Sequence, residues 1–153
     1  MAEIEVAKDG YTILTGAEHI NIDAVHAYLH RSYWAAGIPK AVVEKSIANS
    51  LCFGVFNNGV QVGFARLVTD KATFAYLADV YILEEHRGKG LSKWLMATIH
   101  AHPELQMLRR WLLGTKDAHS LYEQFGWEHF TAEGCSRIMQ RYNPNIYQQN
   151  AAV

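Results

Sequence analysis

Apolar and polar positions change rhythm several times along the chain, and each change predicts an element. Glu3 to Val6 and Tyr11 to Leu14 are short β-type runs joined by Asp9-Gly10, a pair suited to a tight hairpin turn. After Gly16 the apolar residues Ile22, Val25, Leu29 and Tyr33 recur at helical spacing, with Asn21 in place as an N-cap. Gly37 and Pro39 interrupt that pattern, and a second helix starting at Pro39 carries Val42, Val43, Ser46 and Ile47. From Leu51 the rhythm is that of strands: Leu51 to Phe56, an Asn58-Gly59 turn, Val60 to Thr69, a turn at Asp70-Lys71, then Thr73 to Ile82. The run Leu51 to Phe56 is apolar at both alternating sets of positions, which predicts an interior strand in a sheet covered on both sides.

Beyond a glycine-containing loop, Leu91, Trp94, Leu95 and Ile99 mark a helix that stops near Pro103. Arg109 to Leu113 reads as a strand and Ala118 to Phe125 as a helix ended by Gly126. Trp127 to Phe130 and Ser136 to Arg141 read as closing strands, and a polar, frayed tail is expected over 143–153. Strand, two helices, three strands, helix, strand, helix and two strands make one α/β domain over 1–153, its mixed sheet flanked by helices.

Composition narrows the function classes. The chain has 153 residues, half of them hydrophobic, enough for one core that removes roughly two thirds of the unfolded chain's surface from water. A formal net charge of -1 supplies no global field for nucleic acid or an anionic membrane, so any anion site must be local. No apolar run nears the roughly 20 residues of a spanning helix, and the start of the chain lacks a basic-then-apolar leader. A soluble cytoplasmic protein is expected, without nucleic-acid or membrane partners. Cys52 and Cys135 form no disulfide framework, and the eight histidines, His26 and His30 among them, lack the spacings of a zinc site; no metal is expected.

The local anion site is the stretch Val80 to Trp94, V-Y-I-L-E-E-H-R-G-K-G-L-S-K-W. A strand runs through a cationic glycine loop into a helix whose first amides lack internal partners and whose dipole is positive at that end. A P-loop needs four residues between its glycines, and only Lys89 separates Gly88 from Gly90; a dinucleotide fingerprint needs glycine at Lys93. The stretch instead resembles the acetyl-CoA loop of the GNAT N-acetyltransferase superfamily, Arg/Gln-x-x-Gly-x-Gly/Ala, with Arg87, Gly90 and Ser92 on the patterned positions and Ser92 replacing Gly or Ala. A second stretch, D-A-H-S-L-Y-E-Q-F-G-W from Asp117 to Trp127, is similar to that family's Ala-x-x-Leu-Tyr-Glu-x-x-Gly-Phe helix, matched by Ala118, Leu121, Tyr122, Glu123 and Gly126. The element order resembles the family over nearly the whole chain.

The resemblance implies an acyl-CoA N-acyltransferase-like fold with a mostly antiparallel central sheet, and acetyl-CoA as co-substrate. By resemblance Val80, Tyr81 and Ile82 flank the pantetheine arm, near a bulge whose backbone N–H faces the acyl oxygen. The resemblance implies that the amides of Gly88, Lys89, Gly90, Leu91 and Ser92 hold the phosphates, with Arg87 and Lys89 adding charge. Thr115 stands where the family has an Asn, and a threonine hydroxyl can donate in its place.

Direct acetyl transfer in a ternary complex also needs a neutral amine, at a cost of roughly 4–5 kcal/mol from a pKa near 10.4 at pH 7, and a proton for the leaving thiolate. The family pattern nominates Tyr122 as that acid. Asp79, inside the apolar run Y-L-A-D-V-Y-I, is either the amine's base or a structural carboxylate paired with a cation. Tyr33 and Trp34, between the first helices, and Arg66 are the candidates for substrate contact. The expected acceptor is a small-molecule amine, with a protein lysine or N-terminal amine, or an acyl-CoA-binding sensor without turnover, as alternatives; a homodimer is compatible with the resemblance.

Overall fold

The computed structural model describes residues 3–149, in which a six-stranded sheet follows chain order. Its strands are β1 (Glu5–Lys8), β2 (Tyr11–Thr15), β3 (Leu51–Asn57), β4 (Val60–Thr69), β5 (Phe74–Ile82) and β6 (Arg110–Leu113). Every neighbouring pair is antiparallel except β5 and β6, which run parallel. The short turns follow residue chemistry: Asp9-Gly10 and Asn58-Gly59 all adopt positive φ, as a two-residue hairpin turn that matches strand twist requires.

Helices cover both faces. The helices α1 (Ile22–Arg31) and α2 (Lys40–Ala48) bury Val25, Leu29, Val43 and Ile47 against Cys52, Phe64 and Tyr81. On the other face α3 (Leu91–His100) packs Leu95, Met96 and Ile99 against Phe53, Val55 and Leu67, and the short α4 (His119–Glu123) adds Tyr122 to the same cluster. Cys52 and Phe53, adjacent in β3, therefore point to different cores and are both 0 % exposed, as expected for an interior strand. The fold is a single-domain α/β architecture with a mixed, mostly antiparallel sheet flanked by helices.

Two local differences from the sequence reading shape the surface. The spacing that includes Tyr33 continues the first helix, yet α1 stops at Arg31 because Ser32 Oγ donates to the Leu29 carbonyl and accepts from Ala35 N–H, so Tyr33 and Trp34 lie in the loop. The two closing strands do not form. Trp127 folds back, its amide donating to the Tyr122 carbonyl and its indole N–H to His100 Nε2, and Thr131 then caps α5 (Ala132–Ser136) through Gly134 N–H. Among the described residues no strand pairs with the outer edge of β6.

Residues 137–142 run on without regular structure to α6 (Ile146–Gln149). A frayed tail was the expectation there, but Tyr147 packs against the α1/α2 core and Gln148 Nε2 donates to the Ala36 carbonyl at 2.7 Å. The rest of that expected tail, 150–153, lies outside the described residues.

Candidate functional site

The parallel pair supplies the opening. β5 and β6 are in register only from Phe74 opposite Arg110 to Leu77 opposite Leu113; β5 then runs on to Ile82 with no strand beside it on that edge. A cavity of about 510 Å³ occupies the divergence, lined by Ala78, Asp79 and Val80 of β5, by Leu113 to Ala118 after β6, and by Tyr122. Because an uncovered strand edge leaves backbone donors and acceptors to be satisfied, this edge suits an extended, amide-containing ligand.

The same edge is kinked. Phe64 pairs with Tyr81 and Arg66 with Ala78, so Asp79 and Val80 together oppose Ala65 in a β-bulge. Asp79 has φ 57, a left-handed conformation that Asp tolerates better than most residues but that still needs support. Support comes from Arg66 Nε, which donates to Asp79 Oδ2 at 2.9 Å, and from Trp34 Nε1, which donates to Oδ1 at 3.0 Å. Arg66 is held in turn by Ser50 Oγ at 3.1 Å. The Arg66 and Asp79 side chains are only 18 % and 10 % exposed, so this is a largely desolvated pair whose partners each need the other. The geometry makes Asp79 a clamp on the bulge.

Past β5, a 3₁₀ turn at Glu84–His86 leads into the glycine loop. Gly88 and Gly90 adopt φ 79 and 76, and a Cβ built on either meets nothing within 4 Å, so both need the left-handed backbone and leave open space in front of it. Among the described residues no backbone carbonyl accepts from the amides of Gly88 to Lys93; the first such bond is Trp94 N–H to the Gly90 carbonyl. These amides sit at the N-terminus of the ten-residue α3, where an anion is favoured.

Arg87 is half-exposed and bonded at both ends of its guanidinium. Its Nε donates to the Ile82 carbonyl and its Nη2 to Tyr28 Oη, both at 2.9 Å. Tyr28 stacks on the buried Tyr81 at 3.9 Å between ring centres, while Arg31 lies over the Tyr28 ring and forms a two-bond fork with Glu84. The loop is thereby fastened to α1. Lys89 Nζ donates to Tyr11 Oη at 3.2 Å, beside a smaller cavity of about 280 Å³ that reaches Gly90 and Trp94.

Tyr122 reaches the main cavity from α4. Its ring is buried, 8 % exposed, but its hydroxyl has no hydrogen-bond partner among the described residues. Burial first, then Tyr33 and Asp117, push the phenol up to about 12, so it carries its proton throughout the neutral range. Thr115 Oγ1 accepts from Ala118 N–H, and Tyr33 Oη accepts from Lys116 N–H across the cavity mouth.

The structure thus brings Asp79, Val80, Thr115, Tyr122, Tyr33, Trp34 and Arg66 around one cavity, while Tyr81 and Leu91 keep their side chains in the core. Sequence reasoning missed Tyr28 and Arg31, whose pairing with the loop spans some fifty residues, and Tyr76, Asp117, Tyr142 and Tyr147, which also line the cavity. Aromatic residues in an otherwise polar tail were the available signal for Tyr142 and Tyr147. Among the described residues no three His, Cys, Asp or Glu side chains converge as a metal site, and no helix is long and apolar enough to cross a membrane.

Comparison with known proteins adds a consistent set of likenesses. A family model described as an acetyltransferase (GNAT) domain matches residues 48–129. A Gibberella zeae protein assigned as an acetyltransferase is 32% identical over 133 residues, covering 73% of this chain and 75% of that protein. A crystal structure of a GNAT-family protein from Xanthomonas campestris pv. campestris superposes with a TM-score of 0.87 at 44% identity, covering 92% of this chain and 99% of that one. A GNAT acetyltransferase from Elizabethkingia anophelis, solved with acetyl-CoA bound, shares the fold at a TM-score of 0.59 and 14% identity, over 77% of this chain and 76% of its own.

The loop fastening has a pH signature. The Arg31 fork, more than any other contact, holds Glu84 at about 2 against an ordinary 4.5. A depressed carboxylate contributes stability that is full above pH 4.5 and lost as pH falls toward 2. Glu84→Gln removes that contribution, so the difference in melting temperature between the native protein and the variant should be largest above pH 4.5 and shrink steadily below it. A difference independent of pH would show that the fork does not couple to folding.

Proposed function

This chain belongs to the GNAT family of acetyl-CoA-dependent acetyltransferases, and on that premise we propose that it moves the acetyl group directly to the primary amine of a small molecule bound alongside acetyl-CoA. The observation that carries this reading is the Tyr122 hydroxyl, protonated and without a partner among the described residues, in the same cavity as the bulged and uncovered edge of β5. The residues fit the co-substrate: the unpaired amides from Gly88 to Lys93 suit a pyrophosphate, and the free edge of Ala78 to Val80 suits the amides of a pantetheine arm. Acetyl-CoA supplies an acyl group already activated as a thioester.

In the overall reaction an ammonium ion and the thioester give an acetamide, a thiol and one proton. The N–C bond forms and the C–S bond breaks. Backbone N–H groups at the Asp79–Val80 bulge face the charge that develops on the acyl oxygen, a contribution of about 3–4 kcal/mol in acyl-transfer sites. The ammonium gives up its proton to water in the open cavity, with Asp79 held in its bonds to Arg66 and Trp34. Tyr122 donates its proton to the departing sulfur and recovers one from solvent. Thiol release from acetyl-CoA in the presence of an amine panel tests the whole reading; tight acetyl-CoA binding without thiol release would point to a binding module.

Three substitutions separate the roles. Gly90→Asp introduces a side chain at a left-handed position and a negative charge where phosphate binds, and should abolish acetyl-CoA affinity by calorimetry while the fold survives. Tyr122→Phe keeps the packed ring and should leave acetyl-CoA affinity and melting temperature near those of the native protein, while turnover falls about 10²-fold. Native rates in that variant would make water the proton donor. Asp79→Asn should lower the melting temperature and reduce turnover by a factor that does not change with pH, as expected for a clamp; recovery of turnover at high pH would instead show Asp79 taking the amine's proton.

A further inference from the structure

The wall of the cavity away from Tyr122 is aromatic to an extent that packing does not require. Five of the chain's eight tyrosines line this one cavity, together with Trp34. Three of those phenol rings are open to solvent rather than packed, Tyr33 at 59%, Tyr76 at 42% and Tyr142 at 74%. They arrive from separate parts of the chain: Tyr33 from the loop after α1, Tyr76 from β5, and Tyr142 and Tyr147 from the segment around α6. That last segment is fixed in place by the Gln148 to Ala36 hydrogen bond and by the burial of Tyr147 against the α1/α2 core. The C-terminal segment is therefore a wall of the site.

Electrostatics selects what such a wall accepts. Ring faces carry negative quadrupole charge and attract ammonium groups at centroid distances up to about 6 Å. The formal charges lining the cavity are Arg66, Lys116, Asp79 and Asp117. Arg66 and Asp79 cancel in their ion pair, and Lys116 Nζ sits over the Tyr33 ring at 5.6 Å, already the partner of an aromatic face. Asp117 has neither an ion pair nor a hydrogen bond to its side chain among the described residues. Lys116 and Asp117 balance in formal charge, so the lining is neutral overall, and it is the exposed phenol faces, with the Asp117 carboxylate free to pair, that favour a cation over an anion.

We propose that the acceptor is an aliphatic amine carrying a second cationic centre, which stays charged among Tyr33, Tyr76, Tyr142 and Asp117 while the first amine is acetylated. This rests on the N-acetyltransferase reading above and deepens it. The second ammonium takes no part in bond making: one C–S bond still breaks, one N–C bond forms, and one proton leaves. Its binding locates the reacting nitrogen, which is where remote binding energy helps an acyl transfer.

The test uses three amines of equal chain length, 1,4-diaminobutane, butylamine and 4-aminobutanoate, with saturating acetyl-CoA and thiol release as the readout. The diamine should exceed butylamine in kcat/KM by about tenfold or more, well above the twofold expected from having two amines, and 4-aminobutanoate should be slowest. Asp117→Asn and Tyr142→Leu, both at exposed positions, should each raise the diamine KM several-fold, with a smaller loss for butylamine, and added salt should raise the diamine KM selectively. Butylamine or 4-aminobutanoate turned over as well as the diamine would overturn this inference and leave the N-acetyltransferase reading standing. No thiol release with any of the amines, in protein that binds acetyl-CoA, would overturn both.

Discussion

The site depends on one ion pair. Parallel strands β5 and β6 separate after Leu77, and what keeps the freed edge of β5 in a defined shape is the clamp of Arg66 and Trp34 on Asp79. Asp79 adopts a left-handed backbone because an extra residue is accommodated opposite Ala65. Strain of that kind persists only where the surroundings over-determine it. Here they do: the bend between α2 and β3 contributes Ser50 to Arg66, β4 contributes Arg66 itself, and the loop after α1 contributes Trp34. The charge in the apolar strand is thus held as half of a desolvated pair, and the same contacts join the α1/α2 loop to the sheet edge.

A second fastening, independent of the first, sets the anion loop. Arg87, its side chain half-exposed, donates to the Ile82 carbonyl and to Tyr28, which fixes its guanidinium beside the glycine loop. Amides at a helix N-terminus need no reorganisation to meet an anion, whereas a free arginine would lose side-chain entropy. Those two bonds tie the arginine of the loop signature to both β5 and α1.

How much of this was legible beforehand follows from the range of each interaction. The hairpin turns, the two-sided burial of β3 and the glycine loop are written in adjacent residues, and the sequence shows them. Asp79 could be found as an anomaly, a carboxylate in an apolar run, but its partners could not: Arg66 is thirteen residues away and Trp34 forty-five. The closing strands failed for a similar reason: Trp127 to Phe130 has strand-like residues, yet the Trp127 indole binds His100 and Thr131 caps a helix, tertiary and local bonds that outweigh β-propensity. Asp117 lay inside a recognised signature and was passed over because its neighbours Ala118 and Tyr122 carried the pattern.

The division of labour between backbone and side chains explains why the reaction was easier to read than the acceptor. The co-substrate site proposed above is a matter of backbone geometry, of glycine φ angles, a bulge and an open strand edge, and such features have compact sequence signatures because few residues permit them. The acceptor wall is assembled from side chains of the α1/α2 loop, β5, the β6/α4 loop and the C-terminal segment, with no fixed spacing between them. The C-terminal segment makes none of the bonds that hold the Asp79 bulge. The C-terminal segment, which the Gln148 bond to Ala36 and the partly buried Tyr147 tie to the α1/α2 side, is thus the part of the cavity wall that can change with least effect on the bulge.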